Sequence, residues 1–202
     1  MDFCLRNNIL LVYDNAYSEI TFDGYVAPSI FEIPKARGCA LEFHSFSKTF
    51  NMAGWRVGWA AGHEKFIKPL EKFKSFLDYG VPTFIQLAAS GALELPQDCV
   101  RAQCEMYRIR RDKMVSGMNK IGWQVKPPKA TMYLWSRIPE KFAAMGSLEF
   151  TERLLKKTGI VFAPGAGFGN CGEGYVRIAL VTHTNRFHDA LLRLKDIMKK
   201  GL

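Results

Sequence analysis

The chain has no run of about 18 or more apolar residues, the length a helix needs to cross a hydrocarbon core, so no membrane span is expected. Its opening residues, Met1-Asp2-Phe3-Cys4-Leu5-Arg6, lack the charged-then-apolar order of a secretory leader. Cysteine is scarce: Cys4, Cys39, Cys99, Cys104 and Cys171 form no CxxC pair, and an odd number cannot complete a disulfide framework. Reduced thiols in a cytoplasmic protein are the expectation. Of the four histidines, His183 and His188 lie five residues apart, off a common helical face, and His44 and His63 add no ligand spacing, so no metal site is expected. Internal repeats, low-complexity linkers and a Walker lysine–serine motif are also missing.

Acidic residues are outnumbered, 19 against 28 basic, which leaves a net charge of +9. The basic residues are spread over 65–74, 101–113 and 186–200, on helical patterns with acidic neighbours. That distribution describes a solvated surface able to attract anionic small molecules rather than a nucleic-acid interface. With 48% hydrophobic residues over 202 positions, the chain can bury a core and form one or two domains.

Apolar runs over Ile9–Asp14 and Ala40–Ser45, bounded by polar or glycine residues, predict buried parallel strands, and Arg56–Gly62 predicts another. Glu64–Leu77 has the pattern of an amphipathic helix, and the largely apolar Pro82–Leu95 that of a buried one. Gln97–Gly122 carries Val100, Cys104, Tyr107, Met114, Met118 and Ile121 at helical spacing, between Pro96 and Gly122; it is the longest helix and a bridge between domains. Beyond it, strand-like segments at Trp123–Lys126, Thr131–Ile138, Ile160–Ala163 and Tyr175–Val181 alternate with helices near Leu148–Thr158 and Asn185–Lys200. In the last helix Phe187, Leu191, Leu194 and Met198 form a core stripe.

Chemistry concentrates in Ser45-Phe46-Ser47-Lys48-Thr49-Phe50-Asn51-Met52-Ala53-Gly54-Trp55-Arg56-Val57-Gly58. One lysine follows a hydrophobic strand, two hydroxyls precede it, and a fixed cation follows eight residues later. This suits a lysine that bonds to a carbonyl cofactor beside a bound phosphate: the amine must be held and able to lose its proton, and the phosphate needs hydroxyl donors and a guanidinium fork. Taken singly, each residue has a plainer reading. A lysine after a strand is usually solvated, Asp14 can cap a turn, Tyr17 can be a rim aromatic, and Arg56 and Arg177 can sit in structural ion pairs. Gly167-Phe168-Gly169-Asn170-Cys171-Gly172 satisfies GxGxxG, but it leads toward a strand instead of a helix and so is not a dinucleotide fingerprint.

The string around Lys48 resembles the lysine signature of class I/II aminotransferases, fold-type-I enzymes that use pyridoxal 5′-phosphate (PLP). Two further segments agree in order: Leu10-Leu11-Val12-Tyr13-Asp14-Asn15-Ala16-Tyr17 and Gly174-Tyr175-Val176-Arg177-Ile178-Ala179. The resemblance implies a Schiff base on catalytic Lys48, Asp14 at the pyridine nitrogen, Tyr17 at the ring oxygen, Ser45, Ser47 and Arg56 at the phosphate, and Arg177 on the substrate carboxylate. It makes Pro164–Gly169 the turn before the arginine-bearing strand. It also implies an α/β fold: part of the PLP-binding large domain over 1–112, a mostly parallel sheet with helices, then a small α+β C-terminal domain over 113–202. Amino acid and 2-oxo acid substrates and a homodimer follow from the same source. Asp14–Ile20, Glu42–Lys48 and Pro128–Tyr133 look most similar to the LL-diaminopimelate aminotransferase group, although many relatives have glycine in place of Ala130.

The resemblance spans nearly the whole chain but only the C-terminal half of the family's length. The glycine-containing phosphate loop, the aromatic stacked on the ring and an asparagine at the ring oxygen have no counterpart here. The expected complete activity is amino-group transfer. The alternatives are a noncatalytic remnant or assembly fragment that needs a partner polypeptide, and carbon–sulfur β-elimination on the same fold.

Overall fold

Strands form where the apolar runs lie between polar turns. In the computed structural model, which describes residues 1–202, a short helix α1 (Asp2–Arg6) leads into β1 (Leu11–Asp14), and β2 (Ala40–Ser45) lies parallel to it in the register Leu11↔Ala40 to Asp14↔Phe43. After one helical turn, α2 (Phe46–Thr49), strand β3 (Gly58–Gly62) returns antiparallel on the other side of β2, from Ser45↔Gly58 to Leu41↔Gly62. Helices α3 (Glu64–Leu77) and α4 (Thr83–Glu94) follow, then the long α5 (Asp98–Lys120). The chain divides within α5 into two compact units, Met1–Cys104 and Glu105–Leu202.

The three-stranded order β1-β2-β3 gives only β2 a neighbour on each side. Ala40, Leu41 and Glu42 of β2 are buried, whereas β1 alternates between half-buried and exposed residues, with Val12 59% exposed. The expectation of a buried strand at Ile9–Asp14 is therefore corrected: β1 is a sheet edge, and an outer neighbour is what burial would need. The third strand is also shorter than expected. Arg56 adopts a left-handed conformation (φ 52, ψ 47), so the ladder starts at Gly58. Gly58 is required there, because a Cβ would lie 2.5 Å from the His44 carbonyl oxygen.

Helix α3 begins where the His63 ring nitrogen accepts from the Lys65 N–H (3.1 Å), with Glu64 in its first turn and Lys74 in its last, the charge order a helix dipole favours. Helix α4 corrects a second expectation. Only Ala89 is fully buried, and Phe84 (66%) and Leu87 (68%) are exposed, because nothing in this chain covers its other side. On its inner side, Phe46, Val57 and Ala89 form a small core with Phe50, Met52, Val81, Ile85 and Ala92.

The second unit holds β4 (Tyr133–Arg137), α6 (Gly146–Thr158), β5 (Ala163–Pro164), β6 (Tyr175–Ala179) and α7 (Thr184–Lys200). Its sheet is antiparallel in the order β4-β6-β5, and Trp135 and Ala163 flank Arg177. Leu134, Val176 and Ile178 of the sheet and Phe150, Leu154, Phe187 and Leu194 of the helices are buried, and Trp123 meets Phe150 edge-on. Trp123–Lys126 does not form the expected strand. The Trp123 N–H donates to the Met118 carbonyl and the Val125 N–H to Asn119 Oδ1, so the end of α5 satisfies this backbone in place of a ladder. Ile160–Ala163 likewise reduces to the two-residue β5. The GxGxxG segment forms two 3₁₀ turns, Gly165–Phe168 and Asn170–Gly172, ahead of β6, with no helix to receive a dinucleotide phosphate.

Candidate active site

Parallel pairing places Asp14 and Ser45 at the same, carboxyl end of β1 and β2, and the antiparallel β3 brings its first residue, Gly58, to that end too. In open α/β sheets this is the end outside which ligands bind. Asp14 is exposed there, and its carboxylate has no hydrogen-bonding partner within the protein. Tyr17 is half-buried in the turn that follows, which is closed by the Ser18 N–H on the Asn15 carbonyl (3.2 Å) and the Ile20 N–H on the Tyr17 carbonyl (3.0 Å).

At Ser45 the chain changes from strand to helix. Its backbone is still extended, and its hydroxyl accepts from the Ser47 N–H (3.1 Å), capping α2. Lys48 sits in the last turn of α2, half-buried, with an amine that meets no partner in the chain. Gln103 braces this turn by donating its side-chain amide to the Lys48 carbonyl and, at 3.4 Å, to that of Thr49. The Phe46 N–H donates to the Val57 carbonyl (3.2 Å), which seats the Arg56 loop against the start of α2. The exposed guanidinium of Arg56 donates only to the Ala53 carbonyl (2.9 Å), which leaves most of its donors uncommitted.

Asp14, Tyr17, Ser45, Ser47, Lys48 and Arg56 thus share one end of one sheet. Arg177 lies in the second unit. Its guanidinium is held between the rings of Tyr133 (4.5 Å) and Phe168 (4.6 Å), in a half-buried strand, and forms no ion pair. The structural ion pair that was its plainer reading is not present. Contact with two ring faces satisfies the cation without using its N–H donors.

Sequence reasoning assigned no role to Glu42. This carboxylate is 2% exposed and accepts from Asn15 Nδ2 (3.0 Å), His44 Nε2 (2.8 Å), Ser29 Oγ (2.6 Å) and the Ile30 N–H (3.0 Å). Burial pushes its pKa up, but the donors from Asn15, Ser29, His44 and Ile30 outweigh that and hold it below the ordinary carboxylate range. His44 in turn stacks flat on Trp59, ring centres 4.0 Å apart. The available signal was a charged residue inside an apolar strand, where only a paired anion is tolerated.

The model of the family "Aminotransferase class I and II" matches residues 1–193. The chain belongs to the class I and II aminotransferases. It is 45% identical over 194 residues to the glutamate-pyruvate aminotransferase AlaC of Escherichia coli, covering 96% of this chain and 47% of that protein. It is 48% identical over 198 residues to an LL-diaminopimelate aminotransferase of Desulforudis audaxviator, covering 98% and 50%. Among solved structures, an aromatic aminotransferase from Pyrococcus horikoshii superposes with a TM-score of 0.92 at 30% identity, over 98% of this chain and 53% of that one. The substrate-bound BacF structure from Bacillus subtilis gives 0.91 at 34% identity, over 97% and 49%. The chain therefore spans about half the length of the relatives it matches. No helix is long and apolar enough to cross a membrane, and no group of three or more His, Cys, Asp or Glu is placed to hold a metal ion.

Proposed function

We propose that this chain is the lysine-bearing part of a PLP-dependent aminotransferase that moves an amino group from an amino acid to a 2-oxo acid. The observation that carries this reading is the convergence, at one sheet end, of a carboxylate and an amine without internal partners, a capped turn of hydroxyls, and a guanidinium with donors to spare. This donor set fits a phosphorylated pyridine aldehyde: an anion for a protonated ring nitrogen, an amine for the carbonyl carbon, and hydroxyls and a cation for the phosphate. When bound, PLP supplies an electron-poor ring that accepts the electron pair left as the substrate α-proton departs. In this reading Asp14 keeps the ring nitrogen protonated and Tyr17 donates to the ring oxygen. Ser45, Ser47 and Arg56 hold the phosphate. Lys48 Nζ would hold the cofactor at its carbonyl carbon, and its amine would take the proton from the substrate α-carbon. Arg177 grips the substrate carboxylate through the edge of its stacked fork.

Amino-group transfer by the whole protein, an LL-diaminopimelate-like substrate, a cytoplasmic setting and a homodimer belong to the same proposal. The half-length match and the open edges of β1 and β3 favour a companion reading, in which this chain reaches its active form only with a polypeptide supplying the other half. The test is absorbance after addition of PLP, to the chain alone and to the chain co-expressed with the other half of a relative. A visible band that Lys48→Ala abolishes is expected with the added half. A band unchanged by Lys48→Ala, or no band in either sample, would overturn the assignment.

A further inference from the structure

Glu42 takes no part in the chemistry just outlined, yet its carboxylate meets the immediate neighbours of the residues that do. Oε1 accepts from Asn15, the residue after Asp14, and from His44, the residue before Ser45. A buried carboxylate held below its ordinary pKa accepts only, so His44 Nε2 carries the proton between them and Nδ1 is left facing Ser18 Oγ at 3.3 Å. Asn15 is gripped twice more, by its N–H on the Phe43 carbonyl (2.8 Å) and its amide on the Pro28 carbonyl (3.3 Å). His44 is clamped from β3 by the Trp59 ring, beside the close approach at Gly58. Oε2 serves a different segment, the Ser29–Ile30 turn, where Ser29 Oγ also accepts from the Phe31 N–H at 3.2 Å.

We infer that Glu42 is a positioning residue: through Oε1 it couples the Asp14 end of β1 to the Ser45–Lys48 end of β2, so that the carboxylate and the amine keep a fixed relation. The inference rests on the proposed roles of Asp14 and Lys48. An uncharged loop anchor would need only Oε2. The two oxygens divide these tasks, and that division makes the idea testable. Because the carboxylate is desolvated and shared among four donors, removing its charge loosens every bond at once.

The experiment uses the full chain and two readouts. Backbone amide NMR shifts, recorded without cofactor, report the two strand ends. The rate at which added PLP is captured on Lys48, trapped by borohydride and located by mass, reports their use. Glu42→Gln is expected to move the amides of Asp14–Asn15 and of Ser45–Lys48 together, and to slow capture about tenfold or more, since small misplacements of reacting groups are costly. Ser29→Ala, which cuts only the Oε2 side, is expected to lower the unfolding midpoint while leaving both strand-end shifts and the capture rate near wild type. Should Glu42→Gln fail to fold, Asn15→Ala removes one Oε1 bond and is expected to shift Ser45–Lys48 across the network. Shifts confined to Ser29–Ile30 with wild-type capture in Glu42→Gln, or an unmoved Ser45–Lys48 segment in Asn15→Ala, would overturn the inference. If wild type captures no PLP, alone or with the other half present, the functional reading fails, while the amide shifts still decide whether Glu42 couples the two ends.

Discussion

Among the residues, the telling contrast is between charges that are matched inside the chain and charges that are not. Glu42 is matched four times over, and its depressed pKa makes a prediction whose sign is fixed. A carboxyl whose folded value lies below the ordinary 4.5 stabilises the fold fully above about that pH, and the contribution is lost as pH falls through the folded value. Other depressed carboxyls, such as Asp78, act in both proteins alike, so Glu42→Gln is expected to flatten the stability–pH curve below 4.5 relative to wild type, read by urea unfolding across acidic pH. Arg177 is the opposite case, a guanidinium stacked by Tyr133 and Phe168 and paired with no carboxylate. Arg177→Lys keeps the charge but loses the planar fork. In the reconstituted protein it is expected to raise KM for the amino acid by roughly tenfold to a hundredfold, the scale of a charge-assisted hydrogen bond, in steady-state kinetics. An unchanged KM would remove Arg177 from the carboxylate site. Lys48 and Asp14 stood out as candidates in the sequence because each charged residue follows an apolar strand. The roles of Asn15 and Gln103 were not legible there, since each depends on a partner at least 27 residues away, and that of His44 was not, since its ring is set by Trp59 of another strand as well as by Glu42.

Helices were read from the sequence more faithfully than strands. Helix α3 spans Glu64–Leu77 as its periodicity predicts, and α6 and α7 begin within two residues of expectation, because an amphipathic stripe and its caps are local properties. Strands depend on neighbours: Trp123–Lys126 was lost to the end of α5, and β3 was shortened by the left-handed Arg56. The tight β2–β3 contact gives a sharp element-level prediction. Gly58→Ala puts a Cβ against the His44 backbone, so the strands must part where they frame the site. A loss of about 1–3 kcal/mol is expected, as for overpacked cores, measured as a lower denaturant midpoint. A wild-type midpoint would show that this backbone yields freely.

For the whole molecule, the two units differ in how completely they are built. The second surrounds Phe150, Leu154, Val176 and Leu194 with its own helices and sheet. The first leaves Phe73, Phe76, Leu77, Tyr79, Phe84 and Leu87 exposed and the outer edges of β1 and β3 without a neighbouring strand, while relatives of the same family are about twice as long. Apolar area on this scale promotes association. The chain alone is expected to bind a hydrophobic dye and to exchange the outer amides of β1 and β3 quickly. Co-expression with the other half of a relative is expected to suppress both, read by dye fluorescence and hydrogen exchange. Fast exchange that persists in the co-purified pair would show that these edges are not where the halves meet.

The sequence by itself determined the family, the order of its motifs and most helices, because signature spacing and amphipathic periodicity are written over fewer than about twenty consecutive residues. Tertiary structure alone decided which strand is an edge, that Arg177 is stacked instead of ion-paired, and that Glu42 ties two strand ends together. Each of these is a relation between residues far apart in the chain, fixed by sheet register and by the need of a buried charge for several donors at once.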